Sequence, residues 1–218
     1  MKCNKKELLL YAVTDRSWVG KGSLEEQVKE ALEAGVTFLQ LREKQLSKEA
    51  FIEEAKRIKA LTDFYYVPFV INDEVEVTLA VDADGVHVGQ KDMEAGDVRK
   101  LIGPNKILGV SAQTVEQAIH AEANGADYLG VGAVFSTSTK DDAKGVSIET
   151  LKAICSAVHI PVIAIGGITK DNMMQLKDSG IVGVAVVSAI FASENIREAT
   201  YALREEVEQV IGSSPRSL

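Results

Sequence analysis

The stretch AGVTFLQLREK at residues 34–44 joins a glycine that can stop a helix to a short apolar strand ending in charged residues. A glycine followed by a short apolar strand recurs as NGADYLGVG at 124–132 and as SGIVGVAVVS at 179–188. A glycine directly before a strand is typical of the loop that returns the chain from a helix to a parallel sheet. The repetition therefore predicts a sheet built from successive βα units.

Eight candidate strands follow this pattern, because each is short, apolar and rich in β-branched residues. They cover residues 8–13, 37–41, 68–71, 85–88, 107–110, 128–131, 162–165 and 184–187. Each precedes an amphipathic segment of helical length, and these begin near Leu24, Lys48, Val75, Asp92, Val115, Ile148, Lys170 and Asn195. Ser23 and Glu26 have the spacing of a capping box, and Ser47 and Thr169 are further candidate N-caps.

Eight units within 218 residues, each close to the minimum size of a βα unit, favour closure into a ring. The predicted fold is a single α/β domain over residues 1–218, a (β/α)8 TIM barrel with short mobile tails at about 1–6 and 212–218. A doubly wound open sheet also alternates strand and helix, but no GxGxxG motif opens the first helix. In a barrel, active-site residues are expected on the loops that follow the strands.

Composition and charge narrow the class of partner. The chain has 24 basic and 32 acidic residues, a net charge of −8, which argues against a nucleic acid but allows a small anionic substrate. No apolar run approaches the ~20 residues of a membrane span, and no signal peptide is recognisable. Cys3 and Cys155 have neither disulfide nor metal-site spacing. We therefore expect a cytoplasmic protein that binds neither membranes nor nucleic acid.

Polar side chains at the end of the second strand form the first candidate site. Alternation along QLREK at 40–44 places Gln40, Arg42 and Lys44 on one face, and Leu41 and Glu43 on the other. A solvated strand end with a surface ion pair is the plainer interpretation. An inward Gln and Arg are costly without an anionic partner, so we favour an anion site.

Two aspartates follow neighbouring strands of the predicted barrel. Asp73 comes after the third strand and Asp92 after the fourth, so both carboxylates can reach one point above the barrel. An Asn-Asp pair on its own is more often a helix cap. Magnesium, however, is commonly held by one or two carboxylates together with phosphate oxygens and water. The sequence thus predicts a Mg²⁺ site at Asp73 and Asp92.

Later loops supply groups that suit phosphate. The run TSTK at 137–140 offers hydroxyls and a lysine, although a flexible Ser/Thr-rich surface loop has the same composition. Gly166 and Gly167 follow strand seven and Ser188 follows strand eight, which is the phosphate cradle of many barrels. His87 is as consistent with interior packing as with catalysis, and no Ser-His-Asp set or HExxH motif is present.

Taken in order, these motifs resemble those of one known family. The series is QLREK at 40–44, ND at 72–73, ADGVHVGQKD at 83–92, GVS at 109–111, YLGVG at 128–132, TSTK at 137–140, AIGG at 164–167 and VS at 187–188. It is similar to the series in thiamin phosphate synthases and spans nearly the whole chain. Members often carry proline at the positions of Ala133 and Ser136, so the sixth βα loop is expected to be less restrained here.

The resemblance implies a transferase that joins hydroxymethylpyrimidine pyrophosphate to thiazole phosphate, giving thiamin phosphate and pyrophosphate. It implies that the pyrimidine pyrophosphate is contacted by Gln40, Leu41, Arg42, Glu43, Lys44, Asn72, Ser111 and Lys140. It implies that the thiazole phosphate is held by Thr137, Ser138, Thr139, Gly167, Val187 and Ser188. By the same resemblance, Asp73 and Asp92 hold magnesium, and Arg42, Lys140 and Ser111 are the catalytic groups.

The chemistry agrees with this expectation. Pyrophosphate leaving a benzylic-type carbon on an electron-rich aminopyrimidine favours a dissociative route, which needs charge neutralisation and no strong base. A related thiazole tautomerase is the alternative, and it requires neither QLREK nor the two aspartates. A phosphate-ligand sensor without turnover is a third reading. Small-molecule substrates are the expected partners, with a homo-oligomer as one option.

Overall fold

The computed structural model describes residues 3–20, 22–136 and 145–212. Its eight parallel strands pair in chain order, and β8 pairs with β1 to close the barrel. They are β1 Leu10–Val13, β2 Phe38–Leu41, β3 Phe69–Asn72, β4 Gly85–Val88, β5 Ile107–Ala112, β6 Tyr128–Val131, β7 Val162–Ile165 and β8 Gly183–Val186. The predicted TIM barrel is confirmed, and the open-sheet alternative is wrong.

Helices alternate with the strands and surround the barrel. They are α1 Leu24–Glu33, α2 Lys48–Tyr65, α3 Val75–Ala80, α4 Ala95–Ile102, α5 Val115–Ala123, α6 Ile148–Ala157, α7 Ser188–Phe191 and α8 Ile196–Gly212. Within the described residues, two 3-10 helices, Arg16–Trp18 and Met173–Leu176, follow β1 and β7. Five of the predicted helix starts are matched to the residue, whereas α4 and α8 begin slightly later than predicted.

The helix predicted from Lys170 is wrong, because that segment forms only the 3-10 helix Met173–Leu176. Thr169 does not cap it with its side chain. Instead the Asn172 amide accepts from the Thr169 backbone N–H at 2.9 Å and donates to the Gly167 carbonyl at 2.8 Å. These local bonds fold the chain into a tight turn, since Asn side chains compete with helical backbone bonding.

Local sequence signals account for most element boundaries. The Ser23 and Glu26 side chains form the predicted capping box, and the Ser47 hydroxyl accepts from the Ala50 backbone N–H. Gly35 and Gly125 follow α1 and α5 with φ of 106° and 87°, which a residue with a Cβ rarely adopts. The recurrent glycine therefore ends the helix and redirects the chain into the next strand.

Both faces of the sheet are buried, so the strands are mostly apolar, with Gln40, Asn72, His87 and Ser111 as polar exceptions. Side chains facing the helices, such as Leu39 and Leu41, join one large core. Side chains facing the barrel axis form a second core of Leu8, Tyr11, Val13, Phe38, Val70, Ile107, Tyr128, Ile163 and Ala185. A filled interior leaves the ends of the barrel as the place for a ligand.

Among the helices of the described residues, none combines the length and apolar composition that crossing a membrane would require.

Barrel closure at the β1–β8 seam makes Gly183 sensitive to substitution. A Cβ at this position would overlap the backbone carbonyl of Leu8, which cannot move without opening the seam. We expect Gly183→Ala to lower the free energy of unfolding by about 3 kcal/mol or more. Urea denaturation followed by circular dichroism measures the loss. The control is Gly212→Ala, where no atom lies within 4 Å of the new methyl group; an equal effect of both changes would contradict the closure argument.

Candidate active site

The structure brings together, at the carboxyl ends of β2 to β5, most of the polar side chains singled out from the sequence. Asn72 ends β3, Ser111 lies near the end of β5, and Arg42 directly follows β2. Asp73 and Asp92 follow β3 and β4. Because parallel strands carry their carboxyl ends to one rim, residues far apart in the chain become neighbours there.

Asp73 is held by two donors in a left-handed backbone conformation, with φ of 64°. Its Oδ2 accepts from Lys44 Nζ at 2.6 Å and from Asn72 Nδ2 at 2.6 Å. Burial by itself would raise the pKa of Asp73, but the hydrogen bonds from Lys44 and with Asp92 lower it. Asp73 is therefore an anionic carboxylate, and the cation that it already attracts is the Lys44 ammonium group.

Asp92 lies within hydrogen-bonding reach of Asp73, and its Oδ2 accepts from the Gly89 backbone N–H at 2.7 Å. Burial and the neighbouring Asp73 carboxyl raise the pKa of Asp92. Two carboxylates this close repel one another unless a proton or a cation lies between them. The described residues contain no group of three or more His, Cys, Asp or Glu side chains arranged for a metal. A divalent cation here would take its other ligands from substrate and water.

Arg42 is oriented by an aspartate that the sequence analysis did not single out. Arg42 Nη1 lies 3.2 Å from Asp15 Oδ2, and the Arg42 backbone N–H donates to Thr14 Oγ1 at 3.0 Å. Asp15 also accepts from the Ser17 backbone N–H, which caps the 3-10 helix after β1. The available signal was its position, since Thr14 and Asp15 follow the first strand at the same rim.

Glu43 belongs to a second network of ion pairs. Arg16 donates through Nε to Glu43 at 2.6 Å and through Nη2 to Glu54 of α2 at 2.6 Å. Both carboxylates are buried, with whole-residue exposures of 8% and 5%. Glu43 also accepts from the backbone N–H groups of Lys44 and Gln45, each at 2.7 Å. Glu43 thereby fixes the loop that carries Lys44.

A polar cavity of about 200 Å³ opens between the loops after β1 and β2. It is lined by Asp15, Arg16, Ser17, Arg42, Glu43, Lys44 and Gln45. Three cations face this space, and their carboxylate partners keep them ordered. An anionic group of phosphate character would exchange hydrogen bonds with Arg42 and Lys44 without requiring new side-chain order.

Gln40 and Ser111 are connected through the barrel interior. Gln40 Nε2 donates to Tyr11 Oη at 2.6 Å, and Tyr11 Oη lies 2.8 Å from Tyr128 Oη. His87 lies 3.0 Å from Tyr128 Oη through Nδ1 and 2.9 Å from Ser111 Oγ through Nε2. His87 is thus a packed interior histidine that also contacts the predicted substrate-binding serine.

Only part of the predicted phosphate cradle lies within the described residues. Gly166 and Gly167 have positive φ of 99° and 63°, and a Cβ on Gly167 would overlap the Ser136 carbonyl. Val187 is the N-cap residue of the short helix α7, which begins at Ser188. The predicted contacts Thr137, Ser138, Thr139 and Lys140 lie outside the described residues.

The side chains of two other predicted substrate contacts, Leu41 and Glu43, pack against or bind other residues of the protein. Leu41 is fully buried among the side chains between sheet and helices, and the Glu43 side chain points to Arg16. Alternation along QLREK is therefore as expected, with Gln40 inside and Leu41 outside. Asp84 accepts from the Phe69 backbone N–H at the opposite rim and therefore lies outside the site.

Comparison with known proteins gives a consistent picture. Residues 10–190 match the sequence profile described as thiamine monophosphate synthase. A thiamine-phosphate synthase of Ruminiclostridium cellulolyticum is 54% identical over 202 residues, covering 93% of this chain and 96% of the relative. One from Clostridium tetani is 52% identical over 190 residues, covering 87% and 91%. The solved thiamine phosphate pyrophosphorylase of Pyrococcus furiosus superposes with a TM-score of 0.88 at 43% identity, covering 95% of this chain and 99% of its own.

The Arg16 network leads to a stability prediction. Replacing Arg16 by Met leaves Glu43 and Glu54 buried without their cation, and we expect a loss of about 2 kcal/mol at pH 7. Arg16 is partly exposed, so the full cost of a buried pair is not expected. Urea denaturation measures the difference, with Arg57→Met as control because Arg57 pairs with Glu25 at the surface.

The same pair of variants tests the pH dependence. In the intact protein burial opposes ionisation of Glu43, but hydrogen bonds from Gln45, Arg16 and Lys44 lower its pKa below the ordinary value of a glutamate. A carboxylate whose pKa is lower in the folded than in the unfolded protein stabilises the fold at pH values above its unfolded pKa. This stabilisation is lost as the pH falls through the folded pKa. The deficit of Arg16→Met should therefore shrink below about pH 4. A deficit that is constant from pH 7 to pH 3 would contradict this account.

Proposed function

The chain belongs to the thiamine monophosphate synthase family, and on that premise we propose that this transferase joins hydroxymethylpyrimidine diphosphate to thiazole phosphate with the help of Mg²⁺. The products are thiamin phosphate and pyrophosphate. The observation that carries the proposal is the adjacent pair Asp73 and Asp92, hydrogen-bonded to Lys44, which lines one cavity together with Arg42 at the same rim of the barrel. Carboxylates and cations alternating over a few ångströms suit a metal-bound diphosphate.

Departure of the diphosphate is the step for which these residues are suited. Breaking the bond between the pyrimidine methylene carbon and oxygen leaves positive charge on the ring and negative charge on the leaving group. Arg42 and Lys44 line the polar cavity and would neutralise that negative charge, together with Ser111 and Lys140. An electron-rich aminopyrimidine tolerates the positive charge, so no protein nucleophile is needed.

Magnesium, when bound, would screen the diphosphate and act as an electrophile toward its oxygens. Asp73 and Asp92 are the residues that would hold it, since a cation between their close carboxyl groups would relieve the repulsion between them. Lys44 Nζ donates a hydrogen bond to Asp73 Oδ2. With a metal cation on Asp73, Lys44 would instead be able to bind the diphosphate. The pair supplies few ligands, which suits an ion that keeps water and substrate oxygens.

The thiazole phosphate would bind across the barrel mouth. Gly167 and Ser188 follow β7 and β8, at the rim where barrels of this class often bind phosphate. In this arrangement the thiazole nitrogen faces the carbon from which diphosphate departs. Catalysis is then positioning and charge neutralisation, with Thr137, Ser138, Thr139 and Val187 as the remaining proposed contacts.

A direct assay tests the proposal. The protein is mixed with hydroxymethylpyrimidine diphosphate, thiazole phosphate and MgCl₂, and both products are quantified by chromatography. We expect thiamin phosphate and pyrophosphate in equal amounts, and neither product when EDTA removes the metal. Isomerisation of the thiazole phosphate without pyrophosphate release would identify the tautomerase. Tight binding of thiamin phosphate without turnover would indicate a sensor.

The metal site is tested by Asp92→Asn. Loss of one carboxylate should raise the Mg²⁺ concentration for half-maximal activity about tenfold, equivalent to ~1.4 kcal/mol, while the fold is retained. Steady-state rates over a Mg²⁺ titration measure the shift. The control is Asp97→Asn, which removes a carboxylate paired with Lys100 on the surface of α4. An unchanged Mg²⁺ requirement in Asp92→Asn would show that Asp92 is no ligand.

A further inference from the structure

A continuous line of hydrogen bonds crosses the barrel interior and joins two proposed substrate contacts. It consists of Gln40, Tyr11, Tyr128, His87 and Ser111, and we call it the interior chain. Its four links measure 2.6, 2.8, 3.0 and 2.9 Å in that order. The two tyrosines and the histidine between the ends have no role in the proposed reaction so far.

The interior is shaped to hold this chain. In the barrel register His87 lies opposite Gly109, and Gly109 lies opposite Tyr128 on the next strand. A Cβ on Gly109 would overlap the Tyr128 ring and lie 2.5 Å from His87 Nδ1. A Cβ on Gly130 would be 3.2 Å from His87 Cε1. The missing side chains of these glycines provide the space in which the two rings meet.

Each tyrosine in the chain keeps a single proton to donate. Tyr11 and Tyr128 are almost completely buried, and burial raises the pKa of both phenols far above its ordinary range. A neutral phenol donates only one hydrogen bond, so the donor-to-acceptor direction of one hydrogen bond determines the direction of the next. The whole chain can therefore run only one way at a time, and its two ends are not independent.

We propose that the interior chain runs from Gln40 to Ser111 and thereby holds the Gln40 carbonyl oxygen and the Ser111 hydroxyl hydrogen ready for substrate. The proposal rests on the proposed function, because it assigns the amino group of the pyrimidine to one end and the diphosphate to the other. Tyr11, Tyr128 and His87 are positioning residues that act through Gln40 and Ser111.

The direction follows from the Ser111 end. A diphosphate oxygen can only accept, so Ser111 must donate its one hydroxyl proton to it. Ser111 Oγ then accepts from His87 Nε2–H, which leaves Nδ1 of a neutral imidazole as the acceptor for Tyr128. Tyr128 accepts in turn from Tyr11, and Tyr11 accepts from the Gln40 amide.

The Gln40 end gives the same direction independently. Gln40 Nε2 is the atom that faces Tyr11 Oη, which leaves the carbonyl oxygen of the amide to accept from a ligand. An amino substituent on the pyrimidine is a donor and matches that oxygen. An oxo substituent is an acceptor, and it would require the amide to turn over and break the chain. The chain thus contributes to selection of an amino over an oxo pyrimidine.

Tyr128→Phe tests the proposal by removing one hydroxyl from the middle of the chain while keeping the ring. The substrates are the amino pyrimidine diphosphate and the corresponding oxo pyrimidine diphosphate, each with thiazole phosphate. We expect kcat/KM for the amino substrate to fall about tenfold, and the amino-to-oxo preference to fall by a similar factor. KM for thiazole phosphate should not change. The intrinsic reactivities of the two pyrimidines cancel when the preference is compared between variants.

Tyr65→Phe is the matched control, because it deletes a hydroxyl that hydrogen-bonds Glu33 outside the barrel. It should leave the amino-to-oxo preference at the value of the unmodified protein. A preference in Tyr128→Phe equal to that of Tyr65→Phe would overturn the proposal, even if Tyr128→Phe lowers the melting temperature. If the unmodified protein releases no pyrophosphate from either substrate, the proposed function fails instead.

A second measurement reports the direction without turnover. Nitrogen-15 NMR of the histidine rings distinguishes the two neutral tautomers and the doubly protonated form, and the spectrum of His87→Gln identifies the His87 signals. We expect His87 to be neutral with its proton on Nε2. A proton on Nδ1, or on both nitrogens, would overturn the direction of the chain whatever the assay shows.

Discussion

Closure of the sheet between β8 and β1 is the constraint on which the rest of this structure depends. Once the sheet is a ring, every strand is buried on both faces and every loop after a strand opens at the same rim. The interior is filled by aromatic and branched side chains, so no ligand can enter along the axis. The polar residues that follow the strands are thereby gathered above a solid floor, although they are scattered over the chain. Gly183 and Gly85 permit this closure, since a side chain at either position would overlap a neighbouring strand.

Above that floor, the described cations of the site already have carboxylate partners. Asp15 holds Arg42, Asp73 holds Lys44, and Glu43 with Glu54 holds Arg16. Such pairs contribute modestly to stability where they are exposed, but they restrict long side chains that would otherwise be mobile. The pairs thereby keep three cationic hydrogen-bond donors ordered at one rim of an acidic protein. The pairing of Lys44 with Asp73 also links the proposed metal site to the proposed anion site.

Beneath the site, polarity reaches into the barrel through hydroxyl and imidazole groups. Buried polar groups are costly unless each is hydrogen-bonded, and the line from Gln40 to Ser111 meets that requirement link by link. The interior is therefore a core and also a support that fixes how two residues of the site present their donors and acceptors. This line of hydrogen bonds fits inside the barrel because Gly109 and Gly130 have no side chains that would contact the His87 and Tyr128 rings.

The sequence by itself determined the fold, because a short apolar run recurs in every βα unit and a glycine comes shortly before three of the strands, and both are local signals. It also located the strand-end groups Arg42, Asn72, Asp73, Asp92 and Ser111, since position relative to a strand fixes the rim on which a residue lies. Tertiary structure alone decided that Asp15 pairs with Arg42, and that Tyr11, Tyr128 and His87 join Gln40 to Ser111. It also replaced the helix expected near Lys170 by a turn bonded through Asn172. These contacts depend on the register of closed strands and on competing side-chain bonds, neither of which leaves a periodic trace in the chain.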